Sequence, residues 1–198
     1  GARPVVLLCL LHLIFFTVFS GMEFTLTFLA KERLGFDAKF NGYMFIVIGV
    51  TMIIVQGVIV RRLAKPVGEK KLTATGILFA MAAFWLLATA PSVDVKEFFS
   101  SAFFNSQFMW GLVCMSCAIG LVSPCISALV SLHSSPQQQG RNLGLLRSAG
   151  ALARVIGPVM AAILYFVQSA GLAYKTGACI LLLPFALTMF VKTPTQKN

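Results

Sequence analysis

Gly140-Arg-Asn-Leu-Gly144-Leu-Leu-Arg147-Ser-Ala-Gly150-Ala-Leu-Ala-Arg154-Val-Ile-Gly157-Pro158 sets two arginines into a segment that is otherwise apolar and small. On an α-helix, residues seven apart fall on one face two turns apart. Arg147 and Arg154 therefore form a polar stripe, interleaved in this reading with Gly150, Gly157 and Ala161. A charge at the bilayer centre costs roughly 2.5–3.5 kcal/mol on insertion scales, so it is retained where a cavity or partner receives it. The stretch predicts a membrane helix with a functional face.

Working outward, the composition agrees. The 198 residues are 58% hydrophobic and 11% charged, with a mean hydropathy of +0.88, which does not suit a water-exposed surface. Apolar windows of about 20 residues predict six crossings, near 5–28, 42–60, 72–90, 108–130, 143–168 and 173–191. The fold class is an all-α polytopic membrane protein. The net charge of +10 comes from Lys and Arg in short connections, with no basic domain or tail, so no nucleic-acid partner is expected.

If both ends are cytoplasmic, ten of the sixteen Lys and Arg fall on that side and five on the other, with Arg154 inside the membrane. The positive-inside rule favours that orientation, in the plasma membrane or an internal membrane. The chain starts at Gly1, and its first apolar block is too long for a signal peptide core. A fragment is therefore expected.

The five cysteines all lie in apolar blocks and give no disulfide framework. Cys114 and Cys117 are neighbours on one helix face and read as core residues. His12 and His133 stand far apart without a second ligand beside them. No metal or cofactor is expected. No His-Glu-x-x-His, paired intramembrane carboxylates or Ser–His arrangement appears, which argues against a membrane enzyme.

The run Ser20–Leu29, Met44-Phe45 through Gly49–Met52, Gln56-Gly57 leading to Arg61-Arg62, and Leu146–Arg154 before Gly157-Pro158 together carry a resemblance. The chain resembles the C-terminal six-helix half of a major facilitator superfamily transporter. Within it, the chain resembles the animal tetracycline-transporter-like branch, the domain-containing protein 10 group. The resemblance implies one bundle of a two-bundle carrier, 1–198, built of two inverted three-helix repeats, with an N-terminal six-helix half not present here. Substrate would bind between the halves near mid-membrane, and access would alternate by rocking. The implied activity is secondary transport of small organic solutes, organic anions or drug-like molecules, with protons as a coupling ion as in antiporters. A non-transporting multi-pass scaffold or receptor is the alternative.

Glu23 is the one acid inside an apolar block, hence the candidate proton carrier. Snorkelling to the surface, or a static ion pair with Arg154, is the alternative. Arg154, with Arg147, offers a fixed charge and a bidentate fork for a carboxylate or sulfonate; a permanent structural pair is again the alternative. Met22, Phe24, Phe108, Met109, Trp110 and Met115 are candidates for an apolar, adaptable lining. The resemblance places a cytoplasmic gate loop at Gly57, Arg61, Arg62 and Lys65. Arg61 stands where the family carries an acid, so the basic run serves either as a gate or as anchors at the headgroups. Gly144, Gly150, Gly157 and Pro158 are expected to pack or hinge the fifth helix.

Overall fold

A computed structural model of the chain describes residues 2–92 and 106–191. Six long helices account for nearly all of them: α1 Ala2–Leu34, α2 Ala38–Val67, α3 Glu69–Ala88, α4 Gln107–Leu132, α5 Gln139–Val167 and α6 Ala170–Phe190. Each is long and apolar enough to cross a membrane. The third connection, with Asp94, Lys96 and Glu97, lies outside the described residues except for its first two positions. Lys192 and Lys197 lie outside them as well.

The helices run past the apolar windows because the polar residues at their ends are themselves good helix formers. Lys31-Glu-Arg-Leu34 extends α1 by a full turn. It ends at Gly35, whose φ of +65° favours glycine. Asp37 then caps α2, its Oδ1 accepting from the Phe40 N–H at 3.1 Å.

The same effect corrects the expected gate loop. Arg61, Arg62 and Lys65 belong to α2, which continues through a π-helical stretch, Val55–Val60, into Arg61–Val67. Nothing in Arg-Arg-Leu-Ala-Lys breaks a helix. The turn falls at Gly68, with φ +87°. Pro66 is held inside the last turn, and the three basic side chains and Gly57 are exposed.

The most extensively packed helix pairs are α3 with α4 and α1 with α5. α1 and α5 run parallel in one register: His12 meets Gly150, Phe16 meets Arg154, Gly21 meets Gly157 and Phe28 meets Phe166. Two glycines permit this approach. A Cβ on Gly21 would lie 2.7 Å from the Ala161 Cβ and 2.9 Å from the Gly157 carbonyl oxygen, distances that require bare backbone on both helices. Ser20 Oγ then donates across the seam to the Ala153 carbonyl at 3.2 Å.

Polar side chains tie the bundle at several levels. Tyr165 donates to Glu32 at 2.7 Å at one end, joining α5 to α1. Thr25 and Tyr174 are bonded at 3.2 Å within the core, joining α1 to α6. Lys70 Nζ donates to the Met189 carbonyl at 3.0 Å at the other end, joining α3 to α6. The outward faces of α2 and α5 are apolar and open, with Ile53 70% and Val155 68% exposed. Such faces suit lipid or a second apolar bundle rather than water.

A basic cleft between α1, α4 and α5

The register of α1 on α5 decides what surrounds the arginines. Gly150 has no side chain, and a Cβ there would lie 2.8 Å from His12 Nε2. The imidazole of His12 therefore reaches the α5 backbone. It is buried, its ring centroid sits 4.2 Å from that of Phe16, and its Nδ1 has no hydrogen-bond partner. One turn further along α1, the Phe16 ring lies 5.7 Å beneath the Arg154 guanidinium carbon. That cation–π contact is worth about 0.5–1 kcal/mol, and about 2 or more when desolvated.

With Arg147, Leu146 and Ala151, these groups wall a cleft of about 340 Å³, closed on its far side by Ser123 and Ser127 of α4. The two serines are one turn apart, and Ser127 Oγ donates to the Ser123 carbonyl at 3.0 Å. No acidic residue lines the cleft among the described residues. Two guanidiniums therefore face a small, partly apolar space without a countercharge in its walls. An anion with an aromatic or aliphatic body meets charge from α5, hydroxyls from α4 and rings from α1.

The residues singled out in the sequence divide. Arg147, Gly150 and Arg154 line the cleft. Gly157 lies on the α1 seam, and Pro158 is half-buried within α5. The single stripe expected for them is in fact two adjacent ones: Leu146, Gly150, Ala153 and Gly157 are buried, the last three against α1, while the arginines stand beside them, exposed.

Gly144 is exposed, and a Cβ there would meet nothing within 4 Å; the same holds for Gly57. Neither packs a helix among the described residues. The expected Glu23–Arg154 pair does not form. Glu23 is exposed, on the face of α1 that carries Phe16 but two turns along it, about 10 Å at 1.5 Å per residue. Phe16 takes the place beneath Arg154 instead. Of the proposed apolar lining, Phe108, Met109 and Met115 are core residues, Met22 is buried and lines a separate small apolar cavity among α1, α3, α5 and α6, and Phe24 and Trp110 are exposed. His12, Phe16, Ser123 and Ser127 are the members that reading the sequence did not find.

The sequence model of the Major Facilitator Superfamily matches residues 2–158. The chain belongs to this superfamily. Major facilitator superfamily domain-containing protein 10 of Homo sapiens is 36% identical over 187 residues, 94% of this chain and 38% of that protein. The Mus musculus protein is 35% identical, over 96% of this chain and 39% of its own length. The class E tetracycline resistance protein of Escherichia coli is 29% identical over 68% of this chain and 30% of that protein.

The crystal structure of the human organic anion transporter MFSD10 (TETRAN) matches with a TM-score of 0.82 at 34% identity, covering 94% of this chain and 41% of that one. The chain thus spans about two fifths of the length of the curated relatives it matches most fully. Six apolar helices in this superfamily make it a multi-pass integral membrane protein.

Proposed function

We propose that the chain is the C-terminal six-helix bundle of a secondary transporter that carries small organic anions, including drug-like acids, by alternating access. The observation that carries this reading is the cleft itself: Arg147 and Arg154 face about 340 Å³ of space with no acid among its lining residues. The human neighbour's description as an organic anion transporter supports it. In this reading Arg154 forms a fork for a carboxylate or sulfonate, with Phe16 beneath it. Arg147 attracts the anion from the end where α5 begins. Glu23 is the proposed proton carrier, set apart from the arginines so that its charge is not neutralised by them. The open faces of α2 and α5 would meet the N-terminal bundle and the lipid.

The test is uptake by vesicles carrying the intact protein. An aromatic carboxylate should accumulate, be competed by sulfonates, and respond to an imposed pH gradient; its uncharged amide of equal size should not accumulate. Equal uptake of both compounds, or uptake of neither, would overturn the assignment, the second result leaving a non-transporting scaffold.

The bundle is proposed to lie with the start of α1 and the end of α6 on the cytoplasmic side. The end where α1 begins carries Arg3, Arg61, Arg62, Lys65, Lys70, Lys71 and Arg141, against Lys31, Arg33, Lys39 and Lys175 at the opposite end. In intact cells, a membrane-impermeant thiol reagent should label Lys31→Cys and not Lys65→Cys. The opposite pattern would reverse the orientation.

A further inference from the structure

On the other side of α5 from the arginines lies a second, larger cavity of about 530 Å³. Arg141, Gln138, Asn142, His133 and Ser135 give it a polar floor, and Val5, Val6 and Leu145 wall it. The floor is held in shape by the turn between α4 and α5. Asn142 Nδ2 donates to Ser134 Oγ at 2.8 Å, Gln139 Nε2 to Ser131 Oγ, and the Gln138 N–H to the Ser135 carbonyl at 2.9 Å. Arg141 is exposed and joins no ion pair with a described residue. No acid lines the cavity among the described residues.

The position of Leu145 shows where the cavity leads. It lies about 160° around α5 from Arg147, on the face that carries Leu152, Val159 and Ile163. Leu145, Leu152, Val159 and Ile163 are each between 51% and 59% exposed. A basic, hydrogen-bonding hollow at the helix end thus opens onto a continuous apolar ridge. One leaflet of a hydrocarbon core about 30 Å thick corresponds to the stretch from Leu145 to about Val155.

We propose that this cavity binds the phosphate headgroup of an anionic phospholipid, one of whose acyl chains lies along the Leu145–Leu152 ridge of α5. Charge and shape select this occupant. A guanidinium with amide and hydroxyl donors suits a phosphate, and the apolar exit suits a chain in the same leaflet and not a soluble anion. The proposal rests on insertion in a membrane with the Leu145–Ile163 side as the part of the open α5 face that meets lipid, and not on the transport reading.

The test follows thermal unfolding of the purified intact protein in detergent, titrated with phosphatidylglycerol, phosphatidylcholine or soluble glycerol phosphate. Phosphatidylglycerol should raise the unfolding midpoint at concentrations where the other two do not. Arg141→Gln should weaken its half-effective concentration on the order of fivefold, as expected for one basic group at a lipid surface. Lys71→Gln, which removes equal charge from the same end but outside the cavity, should leave it unchanged. Leu152→Ser, on the ridge and away from the headgroup, should weaken the response while preserving the preference for phosphatidylglycerol over phosphatidylcholine. It also carries the test if Arg141→Gln does not fold. Equal losses in the Arg141 and Lys71 variants would mean diffuse surface charge and overturn the proposal. An equal response to phosphatidylcholine, an equal response to glycerol phosphate, or an unaltered response in Leu152→Ser would each overturn it as well.

Discussion

Replacing Arg154 with glutamine is expected to reduce organic-anion uptake by about ten- to a hundredfold or more while leaving a folded protein. The size of the loss follows from what the guanidinium does in the proposed site. Hydrogen bonds to charged groups contribute about 1.5–3 kcal/mol, and each 1.36 kcal/mol is a factor of ten. Survival of the fold follows from what surrounds the side chain. Had Arg154 been paired with a buried Glu23, truncating it would strand a carboxylate at a cost of about 3–5 kcal/mol. Glu23 is exposed and Arg154 rests on the Phe16 ring, so only the cation–π contact is lost.

Arg154→Lys divides the contribution further. The charge remains, the planar fork does not, and uptake of carboxylates should fall between parent and glutamine variant. The measurement is initial uptake rate against substrate concentration, with equal monodisperse protein in each preparation. Parent-like kinetics in both variants would remove Arg154 from the substrate site.

The contrast between Glu23 and His12 shows what a linear reading reaches. Six helices were legible because repeated apolar runs of about 20 residues match the thickness of a bilayer and suit little else. The face of α5 was legible because Arg147 and Arg154 are seven apart. The partners of that face were not. Which residue of α1 meets Arg154 depends on the register of two helices, set by the close approach of Gly21 and Gly157. Glu23 was chosen as a partner by charge, and the register puts Phe16 there instead.

His12 looked isolated because its neighbours are 138 and 142 positions away, at Gly150 and Arg154. Its i, i+4 spacing with Phe16, on the same helix face, was the only local signal. The end of α2 failed for a different reason: apolar windows report lipid contact, while helix continuation depends on propensity, which Arg, Leu, Ala and Lys all favour.

The same register makes Gly157 a position at which a single added carbon collides with the backbone of the neighbouring helix. The sequence grouped it with Gly144, Gly150 and Pro158 as a packing or hinge residue, and the structure separates them. A Cβ on Gly157 would overlap Ser20 Oγ and the Thr17 carbonyl and would lie 3.1 Å from the Gly21 nitrogen. Two of those atoms are backbone, so no rotamer change relieves the overlap and α1 and α5 must move apart. Overpacking of this kind costs about 1–3 kcal/mol, and more when the contact cannot relax.

The Ser20–Ala153 hydrogen bond crosses the same seam and would go with it, for a further ~0.5–1.5 kcal/mol. Within a membrane the seam has little hydrophobic drive to restore it, because lipid tails are as apolar as the helices. Gly157→Val should therefore lower the unfolding temperature in detergent markedly and open the cleft, since Phe16 and Arg154 are held together by that register. Gly144→Val, at a glycine with nothing within 4 Å, should behave as the parent in the same assay. Equal stability of the two valine variants would mean that the α1–α5 contact does not set the register on which the cleft depends.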